Sequence, residues 1–181
     1  MRYVVKETLR KAFEGGMKVT VESEIDDDIE VYHCFIVGLT EDFACLFLLS
    51  DWHYDGIQIV PVEFITGLES GEFEATYHRI LDKEGVLPNI KIPSWLDLTN
   101  LESITRSIKE NHNNLMIESR MESSDEYVIG KITEIEKDSL TLKGYDANAR
   151  WEDGSYEIPF SEITSIKFDD EYTNIMVKHI S

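Results

Sequence analysis

Asp55-Gly56-Ile57-Gln58-Ile59-Val60-Pro61-Val62-Glu63-Phe64-Ile65-Thr66-Gly67-Leu68 is followed, 98 residues later, by Asp153-Gly154-Ser155-Tyr156-Glu157-Ile158-Pro159-Phe160-Ser161-Glu162-Ile163-Thr164-Ser165-Ile166. The Asp-Gly, Pro and Ile-Thr elements recur at that one spacing. Upstream, Val19-Thr20-Val21-Glu22-Ser23 matches Leu115-Met116-Ile117-Glu118-Ser119 at a spacing of 96, and Val37-Gly38 matches Ile129-Gly130 at a spacing of 92. The elements come in the same order in both halves, and changes of spacing are what loop insertions produce. On this reading, four extra residues sit in the acidic loop of the first half and six precede the second Asp-Gly turn. The sequence reads as an internal duplication.

Each half opens on a helix signal. Val5, Leu9, Ala12 and Phe13 share a face at helical spacing, and Gly15-Gly16 supplies the stop. In the second half Thr99 and Glu102 suggest a capping box ahead of Leu101, Ile104 and Ile108, with an exit over residues 111–114. A further helix, capped at Ser70 and carrying Phe73, Tyr77, Ile80 and Leu81 on one face, ends at Gly85. Val19, Val21 and Ile25, like Leu115, Ile117 and Met121, alternate with polar residues as in a half-buried strand. Residues 31–39 and 44–50 are apolar on both faces. A proline inside the strand around Ile158 belongs at an edge or bend, because it cannot donate to a ladder. Pro88 and Pro93 bound a connector. The expected organisation is a first unit at 1–85 with a trailing helix, a connector at 86–94 and a second unit at 95–181.

The 181 residues carry 36 acidic and 17 basic side chains, a net charge of -19. Residues 1–90 hold 18 acids and 7 bases, residues 91–181 hold 18 and 10, so the acidity belongs to both halves. Phosphate backbones are bound mainly by Lys and Arg, which argues against nucleic acid and anionic membranes as partners. A hydrophobic fraction of 42% with 10% aromatics is that of a chain able to bury a core. The longest apolar run, Phe43 to Leu49, is far short of the roughly 20 residues of a membrane span. Charge returns at Arg10 and Lys11 before a signal-peptide core develops, and a cytoplasmic location is expected. Cys34 and Cys45 lie in apolar stretches and are expected as buried thiols.

One helix, about five short strands, a Gly in the second strand and a terminal Ile-x-x-Ile element together resemble the Sm-like (LSm) fold. Ile129-Gly130-Lys131-Ile132-Thr133-Glu134-Ile135, Asp138-Ser139-Leu140-Thr141-Leu142 and the stretch from Ile158 to Ile166 carry the likeness. The whole chain is similar to bacterial proteins with two such units. The resemblance implies a mainly β chain with helices (α+β), built as two tandem small five-stranded Sm-like barrels, each preceded by a helix. Sm proteins hold RNA through an Asn at the second-to-third-strand turn and an Arg-Gly pair before the last strand. The comparable segments here are Asp138-Ser139-Leu140 and Phe160-Ser161-Glu162-Ile163, and Asp42-Phe43-Ala44 and Val62-Glu63-Phe64-Ile65. A Glu where the family places an Arg repels phosphate, so the likeness implies fold and argues against RNA.

Motifs for catalysis and cofactors are missing: no Gly-x-Ser-x-Gly, no His-Glu-x-x-His, no phosphate-binding Gly-rich loop, no Cys-x-x-Cys. No enzyme activity, cofactor or metal is expected. His33 and Cys34 are consecutive on a strand and face opposite ways, which prevents them from sharing a metal. Asp26-Asp27-Asp28 lacks the Gly and Glu of a calcium loop, since those places hold Val31 and Val37, and reads as a solvated turn, as does Asp169-Asp170-Glu171. The candidate interaction residues are in the loops before the two Asp-Gly turns: Trp52, His53 and Tyr54 in the first, Arg150 and Trp151 in the second. Trp, Tyr and Arg dominate interface hot spots, while the alternative is that each Trp closes a barrel end. Arg2, Lys6, Arg10 and Lys11 form a local basic patch suited to pairing with the chain's own acidic surface or with a second subunit. These readings converge on a non-enzymatic module for binding a protein partner or for self-association. An RNA-associated regulator using the basic helix, and a small-molecule protein or hydrolase with a site between the barrels, are the alternatives.

Overall fold

The computed structural model describes residues 2–25, 28–120 and 127–181. The chain divides into two units, Met1–Pro93 and Ser94–Ser181. In the first, α1 (Arg2–Gly15) precedes β1 (Lys18–Ile25), β2 (Asp28–Leu39), β3 (Phe43–Ser50), β4 (His53–Pro61), a 3-10 turn (Val62–Phe64), β5 (Ile65–Glu69) and α2 (Glu72–Lys83). In the second, α3 (Leu101–Asn111) precedes β6 (Leu115–Ser119), β7 (Tyr127–Ile135), β8 (Ser139–Gly144), β9 (Tyr156–Pro159), a 3-10 turn (Phe160–Glu162), β10 (Ile163–Phe168) and α4 (Glu171–Met176).

The strands do not close into the expected pair of barrels. They form open antiparallel sheet, ordered β5-β1-β2-β3-β4 in the first unit and β10-β6-β7-β8-β9 in the second. Closure requires tilted, staggered outer strands to meet. Among the described residues β4 has no ladder with β5, nor β9 with β10. The chain instead turns through a 3-10 segment after the repeated proline, and the fifth strand pairs with the first. Period-two alternation marks a strand, not whether two edges meet.

The ladder registers of the two units coincide. Val19 opposite Cys34 and Cys34 opposite Leu48 become Leu115 opposite Gly130 and Gly130 opposite Gly144, all shifted by 96. The bulge between Ile36 and Gly38 recurs between Ile132 and Glu134. Phe43 opposite Pro61 becomes Ser139 opposite Pro159, the second strand of the pair now shifted by 98. Pro61 (φ -58, ψ 129) and Pro159 (φ -62, ψ 138) each lead into the 3-10 turn. The turn is tied down by the same bond twice, Val62 N–H to Asp42 O at 2.8 Å and Phe160 N–H to Asp138 O at 2.9 Å.

This register corrects the sequence alignment at one point. Gly130 occupies the place of Cys34, and Val37-Gly38 corresponds to Thr133-Glu134, so the spacing of 92 is not structural. The two Asp-Gly pairs also differ. Gly56 lies buried within β4 at φ 98, whereas Gly154 is exposed in the loop before β9. The first hairpin turns instead at Asp51-Trp52, between paired Ser50 and His53.

Leu9 and Ala12 anchor α1 on a core of Val19, Val21, Cys34, Ile36, Leu46 and Val60, while Phe13 stays 38% exposed. Gly16, at φ 57, ends the helix, with its N–H on Phe13 O and the Met17 N–H on Ala12 O. In the second unit Ile104 and Ile108 of α3 are fully buried, as are Leu115, Ile117 and Leu142. The cap of α3 is Asn100, whose Oδ1 accepts from Ser103 N–H at 2.8 Å, rather than Thr99. For α2 it is Gly71 rather than Ser70, its N–H donating to Glu74 Oε2 at 2.9 Å. The acidic turn at Asp26-Asp27 and the strand end at Met121 lie outside the described residues. No described helix is long and apolar enough to cross a membrane.

Both cysteines are buried thiols. Burial pushes each up to about 12, outweighing at Cys34 the opposing charge of Lys18. Because the thiolate is the reactive form, the native protein at pH 8 is expected to leave an aromatic disulfide reagent unreacted. Both thiols should then titrate after denaturation. Rapid labelling of the native protein, followed by absorbance, would contradict this burial.

Candidate functional site

The two-residue turn at Asp51-Trp52 sets the site. Asp51 takes φ 51, a left-handed conformation that Asp tolerates better than most side chains. Trp52 lies against α2, its ring 4.0 Å from that of Tyr77 and within 11° of parallel. Phe73 and Tyr77 are four residues apart on α2 and so share a face, with ring centroids 5.8 Å apart. Helical spacing reads these two as core, yet Phe73 is 61% exposed and Trp52 45% exposed. The outcome is an aromatic face rather than a buried stripe.

Beneath it lies a charge. Lys18 and Thr20 alternate onto one side of β1, under α2, and both are buried. Lys18 Nζ is 3.8 Å from Glu74 Oε1, 5.0 Å from the centroid of Phe73 and 5.2 Å from that of Tyr77, and among the described residues no hydrogen-bond acceptor reaches it. Glu74 is better served. Its Oε1 accepts from Thr20 Oγ1 at 2.9 Å, and its Oε2 caps Gly71. Thr20 has a single hydroxyl proton and gives it to the carboxylate, so His33 Nδ1, 3.1 Å away, is the donor to Thr20.

The titration of the pair follows from these contacts. Burial lowers the Lys18 ammonium below its ordinary value, and the Glu74 charge only partly opposes that. Burial pushes Glu74 upward, but the backbone bonds, the Thr20 hydroxyl and Lys18 together outweigh it, and the carboxyl stays below its ordinary value. Tyr77 is raised, first by burial and then by the nearby Asp51 charge.

The second unit treats the equivalent positions differently. Asn114, in the place of Lys18, donates from Nδ2 to Thr173 O at 3.0 Å and accepts from the Tyr145 hydroxyl at 3.3 Å. A neutral amide thus replaces the ammonium. Trp151 bridges Tyr145 through the backbone and meets its ring edge-on at 6.0 Å, and Lys131 Nζ stands 4.8 Å over the indole. The chain covers this tryptophan with its own cation. Arg150 is exposed, its backbone N–H donating to Asp146 Oδ1 at 3.0 Å.

Of the residues singled out in the sequence, Trp52, His53 and Tyr54 lie together at the β3–β4 hairpin, where Tyr54 packs on Phe47 at 4.5 Å. Arg150 and Trp151 belong to the loop before β9. Sequence reasoning missed Phe73, Tyr77, Lys18 and Glu74 as parts of a site. The available signal was a lysine at the start of an alternating strand, in register with Val19 and Thr20 rather than in a loop. The side chain of Arg2 lies outside the described ones; of the other α1 cations, Lys11 pairs with Glu7 at 2.8 Å, Arg10 lies 3.9 Å from Glu14, and Lys6 Nζ donates to Glu41 O at 3.3 Å. No three His, Cys, Asp or Glu side chains converge as metal ligands among the described residues. No family model, curated protein or solved structure matches the chain.

Proposed function

We propose that this chain is a non-enzymatic protein-interaction module, built from two copies of one structural unit, that receives a basic protein segment on the face formed by Trp52, Phe73 and Tyr77. The observation that carries this reading is the pair of exposed aromatic rings, Trp52 and Phe73, on a chain of net charge -19. Exposed aromatics desolvate readily against a partner and supply most of the affinity at interfaces. An acidic surround steers a cationic partner toward them and disfavours an anionic one. Coincident ladder registers support the two-copy origin. The ion pairs and carbonyl contact of the α1 cations argue against RNA as the partner.

A labelled cationic peptide, followed by fluorescence anisotropy, tests the reading. Trp52→Ala is expected to weaken binding by at least about tenfold, roughly 1.4 kcal/mol, with the melting temperature little changed. Equal binding by the variant, or none by the wild type at low salt, would sink the interaction face. Tight binding of labelled RNA at low salt would overturn the choice of partner.

A further inference from the structure

The side chain that the Trp52 face accepts can be narrowed by comparing the two loop tryptophans. Trp151 has a cation of its own chain over its ring, Lys131 at 4.8 Å, whereas the only ring partner of Trp52 among the described residues is Tyr77. One face of the Trp52 indole is stacked on Tyr77, and the side chain remains 45% exposed. Beside it in the turn is Asp51, and no cation of the described residues pairs with that carboxylate. A flat aromatic plate and, on the other turn residue, a carboxylate that no cation of the described residues pairs suit a planar cation that stacks and donates in its own plane. Guanidinium does both, while an ammonium is a compact, strongly hydrated point charge.

We propose that the Trp52–Asp51 turn is a guanidinium site, in which an arginine side chain of the partner lies on the indole of Trp52 and donates hydrogen bonds to the Asp51 carboxylate. This rests on the interaction reading above and names the residue type that the partner must present. Arginine is preferred over lysine because stacking uses the delocalised plane of the cation and leaves its edge N–H groups directed at the carboxylate. Net charge alone gives no such preference, since arginine and lysine side chains carry the same charge and the -19 of the chain attracts them equally.

Tetra-arginine, tetra-lysine and tetra-citrulline peptides, titrated calorimetrically into the full chain at physiological salt, separate these effects. Tetra-arginine is expected to bind at least fivefold more tightly than tetra-lysine, with tetra-citrulline, flat but uncharged, weakest. Trp52→Ala should abolish the difference between arginine and lysine, and Asp51→Asn should reduce arginine binding severalfold. Trp52→Phe, which keeps an aromatic plate, should retain part of the preference and guards against a misfolded alanine variant. Equal affinity for arginine and lysine, with both lost in Trp52→Ala, would overturn the guanidinium site and leave the interaction face standing. An arginine preference that persists in Trp52→Ala would overturn the placement at this turn. Failure of both cationic peptides to bind would overturn the site and the interaction reading together.

Discussion

Glu74→Ala is expected to destabilise the first unit by about 3–5 kcal/mol, whereas Lys18→Met is expected to cost under about 1 kcal/mol or to stabilise it. The asymmetry follows from who satisfies whom. Glu74 ties three groups together: the Gly71 amide that starts α2, the Thr20 hydroxyl and the Lys18 ammonium. Its removal leaves an ammonium 1% exposed with neither counter-charge nor acceptor among the described residues. Methionine at position 18 keeps the unbranched stem against Phe73 and Tyr77 and removes the charge that burial penalises. Chemical denaturation of the two variants measures the difference, and a Lys18→Met cost equal to that of Glu74→Ala would show that the ion pair itself is the stabilising contact.

The same pair gives a pH signature. The Lys18 ammonium has a folded pKa below its ordinary 10.5, so the unfolded chain holds more protons in the window between the two values. Stability therefore rises with pH through that alkaline window, and Lys18→Met should lose this rise. Glu74 is depressed below its ordinary 4.5. Its contribution is present above that value and is lost as pH falls through the folded one. Glu74→Ala should flatten the corresponding part of the acid limb.

The second large effect concerns a position where the two units differ. Gly130→Cys places in the second unit the residue that the first unit carries at the equivalent Cys34, yet it is expected to cost about 3 kcal/mol, the upper end of overpacking penalties. A Cβ at Gly130 would overlap the carbonyl oxygen of Lys143, lie 2.8 Å from that carbonyl carbon and 3.0 Å from the Gly144 Cα. These are backbone atoms of the paired strand, which cannot step aside as a flexible side-chain end does. Gly154→Ala is the control, because a Cβ there meets nothing within 4 Å and φ is not positive. It should change stability by no more than about 0.5 kcal/mol. A melting temperature for Gly130→Cys equal to that of the wild type would mean that β7 and β8 separate more readily than their register implies.

Much of the strand and helix layout was legible because its signals are local. Alternation over Val19, Thr20 and Val21 marks a strand with or without a tertiary partner, and Gly15-Gly16 stops a helix in any context. The recurring Pro61 and Pro159 marked a real structural event, the entry into the 3-10 turn. Sheet closure was not legible, since the edges of β4 and β5 carry no residue pattern that says whether they meet. The alignment of Val37-Gly38 with Ile129-Gly130 failed for a related reason. An apolar residue followed by Gly recurs four residues out of step with the ladder, and only the pairing shows that Cys34 and Gly130 share a place.

The site was harder still. Trp52 stands out as an aromatic in a polar loop, but Phe73 and Tyr77 at helical spacing look like any buried stripe. The exposure of Phe73 and the half-burial of Tyr77 depend on where α2 lies over β1. Lys18 gave only a faint signal for the opposite reason: lysine is almost never fully buried unless paired, so a lysine at a strand start reads as a solvated end. The functional reading therefore depended on tertiary placement in a way that the strand assignments did not.

The shift between units changes from 96 to 98 only across the hairpin tips that join β3 to β4 and β8 to β9. Every other ladder keeps step on either side of those tips. A length change there leaves pairing undisturbed elsewhere, which makes the tips the natural entry points for grafted sequence. The Trp52 turn is thus a replaceable cassette on a fixed frame, and its sequence can be exchanged at the hairpin tip without redesigning the sheet that holds it.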